Sequence, residues 1–457
     1  MRSATDMTKG NPTKLLILFA LPLIFGNLGQ QLYMIADAII VGRGVGVKAL
    51  AAVGATDWTY WLVLWVIQAL TQGFATRISQ HFGERNFTRL RKDITMSILL
   101  CLGMGALLTI AGLLMVNPML RVLKTPQDIF SGASSYLFIM FSGTMIVMAY
   151  NMAASILRAF GDGKSPLIAM AAAACTNIAL DLIFVLVFHW GIAGAAAATL
   201  IAQLIAFLYC FFTLKKIDFI SLEPGDWNFS SATARELCNM GLPLALQHVL
   251  IAVGGMILQS AINLQGFVFV AGFTATNKIY GLLESSAISL GYATTTYMAQ
   301  NYGAGLYGRI RTGLKRAALL AVLMSVCISA GMILGGRYIL QLFISASDSS
   351  APQVLEIAYH YLVIMSSLLG SLYLLYVFRN TLQGMGNAMA PMLSGVVEFF
   401  MRVFTALLFT RFWGSSAIFF AEPLAWIGAA VLVIAACTRQ VKKLPPERNV
   451  LSESLCA

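Results

Sequence analysis

Five carboxylates stand inside otherwise apolar stretches of this sequence: Asp37, Asp181, Glu284, Glu398 and Glu422. An ionisable residue at mid-bilayer costs at least ~2.5 kcal/mol on insertion scales, so it normally faces a cavity or a partner. Asn177 precedes Asp181 by one helical turn and lies on the same face. Thr199, on the following apolar stretch, adds a hydroxyl. Two carboxylates, an amide oxygen and a hydroxyl make a hard-oxygen set suited to Na⁺. Alternatively, two close carboxylates share one proton, because adjacent like charges resist ionising together. In a third reading, Asp37 and Asp181 only satisfy nearby backbone groups or each other.

Glu284 stands apart from this group. Lys278 is six residues away, about 600° around a helix, and so off its face. The expectation is that Glu284 faces a cleft as a proton carrier or as the counter-charge of a cationic substrate; a pair with a base on another helix is the alternative. Glu398 and Arg402 are spaced i,i+4, which favours a helix-stabilising ion pair. Glu422, followed by Pro423, is expected at the membrane interface. Pro22 and Pro243 each remove a backbone hydrogen bond and either let a helix bend or leave a static kink.

Other chemistry fails on spacing. Gly163-Lys164-Ser165 resembles the end of a phosphate-binding loop, but the earlier glycine position holds Arg158. The histidines (His81, His189, His248, His360) have no metal-ligand spacing, and no cysteine pair is spaced CxxC. Neither a cofactor nor a metal is expected, beyond Na⁺ at Asp37, Asn177 and Asp181.

The elements that must position these residues are read from composition. Of the 457 residues 59% are hydrophobic and 11% charged, with a mean hydropathy of +0.79. Soluble domains carry about 25% charged residues, and disorder needs low hydrophobicity. A polytopic, all-α membrane protein remains. A helix needs about 20 apolar residues to cross the hydrocarbon core. The chain divides into spans at 15–40, 50–76, 94–117, 132–157, 166–188 and 191–214, then 237–262, 267–299, 317–341, 354–378, 391–410 and 415–437, making twelve. The break at His189-Trp190-Gly191 carries the weakest signal. The run Leu15–Val41 exceeds a signal-peptide core and is read as a retained helix.

Lys and Arg cluster on the side of the amino terminus and of every second loop, including Arg2, Arg85, Arg89, Arg91, Lys92, Arg379, Lys442 and Arg448. The positive-inside rule then places both termini in the cytoplasm. The net charge of +11 is accounted for by topology, and nucleic acid is not an expected partner.

Self-comparison reveals a duplication. Leu21-Pro22-Leu23 recurs as Leu242-Pro243-Leu244, and Gln80-His81-Phe82-Gly83 as Gln300-Asn301-Tyr302-Gly303. Leu157-Arg158-Ala159-Phe160-Gly161 with Pro166 recurs as Leu382-Gln383-Gly384-Met385-Gly386 with Pro391, an offset of 225. Six spans per copy predict two six-helix lobes related by a pseudo-two-fold axis along the membrane normal. The boundaries read as an amino lobe over 1–214, a cytoplasmic linker over 215–235, a carboxy lobe over 236–440 and a tail over 441–457.

With that ordered motif set, including Asn177-Ile-Ala-Leu-Asp181 and Pro22 with Asp37, the chain resembles the multidrug and toxic compound extrusion (MATE) family, in its bacterial DinF-like branch. The resemblance covers essentially the whole chain. It implies a secondary-active multidrug exporter in the cell membrane, working as a monomer. Such a protein exports amphipathic, mostly cationic compounds by antiport with H⁺ or Na⁺, coupled at Asp37, Asn177 and Asp181. Glu284 matches an acid found in some drug exporters of this kind. A lipid-linked oligosaccharide flippase is the alternative, but its cleft would need cations for a pyrophosphate. An intramembrane enzyme would need a nucleophile–base pair that the spacing does not offer.

Overall fold

The computed structural model describes residues 5–342, 344 and 350–446. Arg2, Arg448 and the tail beyond residue 446 lie outside them. The described residues form helices joined by short turns, without strands. Helices α1 (Pro12–Gly44), α2 (Val47–Glu84), α3 (Phe87–Val122), α4 (Gln127–Ser142), α5 (Thr144–Ala159), α6 (Lys164–Asp181) and α7 (Gly191–Lys215) form the first half. The second half holds α8 (Ser231–Asn263), α9 (Phe267–Gly303), α10 (Tyr307–Gln341), α11 (Ala351–Ser367), α12 (Leu369–Gly384), α13 (Met389–Phe404), the short α14 (Thr410–Trp413) and α15 (Ala421–Lys443).

Nine of these helical stretches are long and apolar enough to cross a membrane, and two bent pairs bring the number to eleven among the described residues. The twelfth expected span falls in α9. At 37 residues it is long enough, but Lys278, Glu284, five threonines and three serines make it more polar. The bent pairs are α4–α5, at 48°, and α11–α12, at 46°. Their joints, Gly143 and Leu368, are 225 residues apart, which is the offset of the sequence repeat. A Cβ at Gly143 would stand 2.1 Å from Leu200 Cδ2, so the Leu200 side chain of α7 packs closely into that joint. The sequence pattern did not reveal these bends, because neither joint contains proline.

The duplication also extends to packing. In the first half α2 packs on α3, α4 and α5, α3 on α4 and α5, and α7 on α5 and α6. In the second half α9 packs on α10, α11 and α12, α10 on α11 and α12, and α15 on α12 and α13. The pairings coincide under the repeat. A π-helical turn follows both α6 (Leu182–Val187) and α13 (Thr405–Phe409), again at corresponding places. Such turns often mark functional sites, because the extra residue re-aims side chains next to it.

The chain separates into two compact units. One holds Leu21–Ala245 with the residues through Asp6, and the other holds Met7–Ala20 with the residues from Leu246. Both α1 and α8 are therefore divided, and each division falls within three residues of its proline, Pro22 or Pro243. The segment after α7 is folded onto α3. Asp226 is buried, accepts from Arg91 Nε at 3.1 Å, and its carbonyl accepts from Thr95 Oγ1 at 2.6 Å.

Candidate functional site

In the first unit the carboxy-terminal end of α1 meets the end of α6 and the start of α7. Val41 packs with Ala49, Val185 and Ala195, which fixes the α1 terminus against the π-helical turn. Chain reversal after that turn uses His189 and Gly191, both at positive φ, with Trp190 N–H donating to Phe184 O at 2.8 Å. This framework carries Asp37 on α1, Asn177 and Asp181 on α6 and Thr199 on α7.

The carboxyls of Asp37 and Asp181 lie within hydrogen-bonding reach of each other. Asp181 is fully buried, Asn177 is 1% exposed and Asp37 is half-buried. Asn177 Nδ2 donates to Thr199 Oγ1 at 3.4 Å, and that hydroxyl donates to Ala195 O at 3.1 Å. The amide is thereby oriented with its oxygen free. Asp37 Oδ1, Asn177 Oδ1 and both carboxyl oxygens of Asp181 are buried without a hydrogen-bond donor. Leaving a buried acceptor unsatisfied costs about 1–3 kcal/mol, more when it is charged, so four together are a costly arrangement. Tyr33, one turn before Asp37, lies close to both acids, and Tyr136 on α4 lies close to Asp37. Sequence reasoning passed over these tyrosines, although the i−4 spacing of Tyr33 was visible.

The second unit holds a different constellation. Glu284 on α9 accepts from Tyr376 Oη on α12 at 3.0 Å. Among the described residues no base from another helix, the alternative partner considered for it, is ion-paired with Glu284. Glu398 is ion-paired with Arg402 at 3.6 Å, matching the i,i+4 expectation. Its shorter ion pair is with Arg379 on α12. Arg379 is thus a correction to the charge count: it is 6% exposed in the lobe interior, not in a cytoplasmic loop. Its Nε also donates to Ser394 Oγ at 3.0 Å. Arg402 reaches further, to Glu422 Oε2 at 2.6 Å and Ile251 O on α8 at 3.0 Å. Glu422, expected at the interface, is joined to this network.

Glu398 holds two guanidiniums in a buried site, and removing one side of a buried ion pair costs about 3–5 kcal/mol. Glu398→Gln is therefore expected to lower the thermal unfolding midpoint of the detergent-solubilised protein clearly, by more than any surface Glu→Gln control. An unchanged midpoint would show that Arg379 and Arg402 are held by other contacts.

Corresponding positions have diverged. At the 225 offset Arg402 stands where Asn177 stands in the first half, and Ala406 where Asp181 stands. The same structural station, just before a π-helical turn, carries acceptor oxygens in one half and a guanidinium in the other. No group of three or more His, Cys, Asp or Glu placed to hold a metal occurs among the described residues.

Two repeated six-span bundles with polar clusters inside them define a multi-pass membrane transporter. The MatE family model matches residues 22–183 and again 243–408, one match per half. The chain belongs to the MATE family, whose members are transporters rather than enzymes. It is 31% identical over 351 residues to the probable multidrug resistance protein YpnP of Bacillus subtilis, covering 76% of this chain and 78% of that protein. It is 25% identical over 410 residues to the probable multidrug resistance protein NorM of Thermotoga maritima, covering 86% and 84%. A solved structure of a MOP superfamily transporter from Pyrococcus furiosus shares the fold, with a TM-score of 0.90 over 97% of this chain and 99% of that one at 23% identity.

Proposed function

We propose that this protein is a multidrug exporter that drives lipophilic, mostly cationic compounds out of the cell in exchange for H⁺ or Na⁺. The observation that carries the reading is the set of donorless buried oxygens on Asp37, Asn177 and Asp181. A hard monovalent cation would be ligated by such oxygens, and a proton shared between the two carboxyls would bond them. Either ligand removes the cost of burying them, so the pocket favours an occupied state. An ion that binds one conformation of such a pocket more tightly than the other lets its gradient bias the equilibrium between them. Pro22 and Pro243, each close to where its helix passes from one unit to the other, are the points at which α1 and α8 can yield. Glu284 is the acid available to a cationic substrate in the second unit.

The flippase reading is less favoured. The buried guanidiniums of Arg379 and Arg402 are both matched by Glu398 and Glu422, so neither is free for a pyrophosphate. The Pyrococcus furiosus transporter is described as having a binding pocket whose reverse polarity suggests a different function; here the buried network of the second unit sets Glu284, Glu398 and Glu422 against Arg379 and Arg402. The protein acts in the cell membrane as a monomer with both termini cytoplasmic. Ethidium efflux from cells lacking their own pumps, with the Na⁺ and H⁺ gradients collapsed separately, tests this. Efflux should vanish when one of the two gradients is removed, and efflux indifferent to both would contradict antiport.

A further inference from the structure

The linker after α7 is held against α3 more firmly than a simple connection requires. Asp226 accepts from Arg91 Nε at 3.1 Å and from the Glu223 N–H at 3.0 Å. Glu223 in turn caps the short helical turn Pro224–Trp227, so the carboxylates of Glu223 and Asp226 bond each other's backbone. The second half has the same hold in a simpler form. Arg311, 220 residues after Arg91, donates to Leu444 O at 2.7 Å and to Pro445 O at 3.2 Å, just behind α15. The buried carboxylate and the capped turn are additions of the first half. What that turn presents is apolar: Trp227 is 42% exposed and Phe229 68%. Two large aromatic side chains held outward by a fixed turn mark a contact surface.

Helical periodicity puts this surface beneath the lipid-facing side of α3. Leu102 is exposed and follows Arg91 by about three turns, so it stands on the face that holds Asp226. Ile110, also exposed, follows Lys92 by about five turns, which sets Lys92 at the foot of the same outward stripe. The first charged stretch of α3 ends at Asp93 and its apolar run follows. Thr95, whose hydroxyl holds the Asp226 carbonyl, therefore lies where headgroups give way to hydrocarbon. On α7 the exposed Leu204, Leu208 and Phe212 form a like stripe, and Lys215 ends it with Nζ 4.9 Å from the Phe211 ring centroid. The charges at the turn are unequal. Arg89, Arg91 and Lys92 stand against Glu223 and Asp226. Arg91 reaches both acids, at 3.9 and 3.1 Å, while Lys92 is exposed with no ion pair among the described residues.

We infer that this turn is a membrane-surface anchor: Trp227 and Phe229 seat among the headgroups of the adjoining leaflet, and Lys92 binds the phosphate of an anionic phospholipid there. Indole is suited to that depth, with an apolar body and one N–H that still finds a polar partner. A lysine at the foot of an apolar stripe lays its stem along hydrocarbon and its ammonium among the phosphates. Anionic lipid then gains over zwitterionic lipid, whose own ammonium competes with Lys92. Continuity with the lipid-facing stripe of α3 favours lipid over a protein, which would have to approach where the bilayer already stands. The inference does not depend on which compound is exported or which ion is exchanged.

The test is quenching of Trp227 fluorescence by brominated lipid, in the purified full-length protein reconstituted into nanodiscs. The difference between wild type and Trp227→Phe isolates the Trp227 emission from that of the other tryptophans. The discs hold equal parts phosphatidylglycerol and phosphatidylcholine, with bromine on the chains of only one of them. Bromine on the phosphatidylglycerol should quench the Trp227 component roughly twofold more than bromine on the phosphatidylcholine. Lys92→Gln should remove that excess and Lys92→Arg should keep it, at unchanged thermal midpoints because the side chain is exposed. Equal quenching by the two lipids in wild type overturns the phospholipid site, and an excess that survives Lys92→Gln overturns the role of Lys92. Trp227 emission untouched by either lipid, as when a second copy or another protein covers the turn, overturns the anchor altogether.

Discussion

Asp37→Asn and Asp181→Asn are each expected to abolish concentrative dye efflux, bringing the ratio across the membrane to its passive value while expression stays near wild type. The expectation follows from the oxygens involved. Asp37 Oδ1, Asn177 Oδ1 and the two Asp181 oxygens are buried acceptors without donors, which an ion or a shared proton would satisfy. An amide at either acid keeps the shape but supplies its own N–H groups. The pocket would then be internally satisfied, with no need of the coupling ion and no energetic difference for a gradient to exploit. Folding should survive, because removing a buried charge relieves rather than creates a desolvation cost. Asn177→Ala, which deletes a neutral ligand only, should weaken coupling less than either acid variant. Full drug resistance in both aspartate variants would refute the assignment.

The second large effect concerns Glu284. Glu284→Gln should depress export of a cationic dye strongly and that of a neutral dye much less. Glu284 accepts from Tyr376 Oη and lies within hydrogen-bonding reach of Tyr280, and a glutamine oxygen can accept the same hydrogen bonds. The local geometry is therefore retained while the cluster loses its uncommitted charge. The two dyes must be followed in parallel in the same cells. Equal loss of both would make Glu284 a general coupling or structural residue, and unchanged cation export would remove it from the site.

Much of this was legible in the sequence because membranes enforce simple rules. Hydrocarbon admits long apolar runs and few charges, so the spans, the duplication and the five acids were visible directly. Asp37, Asn177, Asp181 and Thr199 could be grouped because helical periodicity puts Asn177 and Asp181 on one face. What escaped was long-range. Arg379 looks like a loop cation, since nothing local reveals that Glu398 lies 19 residues on in a packed neighbour. The bond of Glu422 to Arg402 could not be foreseen because the two stand on different helices 20 residues apart. The bends at Gly143 and Leu368 escaped because they arise from packing, not from proline. The π-helical turns leave no mark in hydrophobic pattern, yet they flank both polar clusters.

The central claim is that an ion bound in the first unit is exchanged for a drug. Its most direct measurement is drug-dependent ion flux in vesicles containing the purified protein and a pH-sensitive or Na⁺-sensitive internal dye. Adding ethidium on the side from which it is exported should drive H⁺ or Na⁺ the opposite way across the membrane, with no such flux in Asp37→Asn or Asp181→Asn. Ethidium movement with no counter-movement of either ion, or counter-movement that persists in both aspartate variants, would contradict the account.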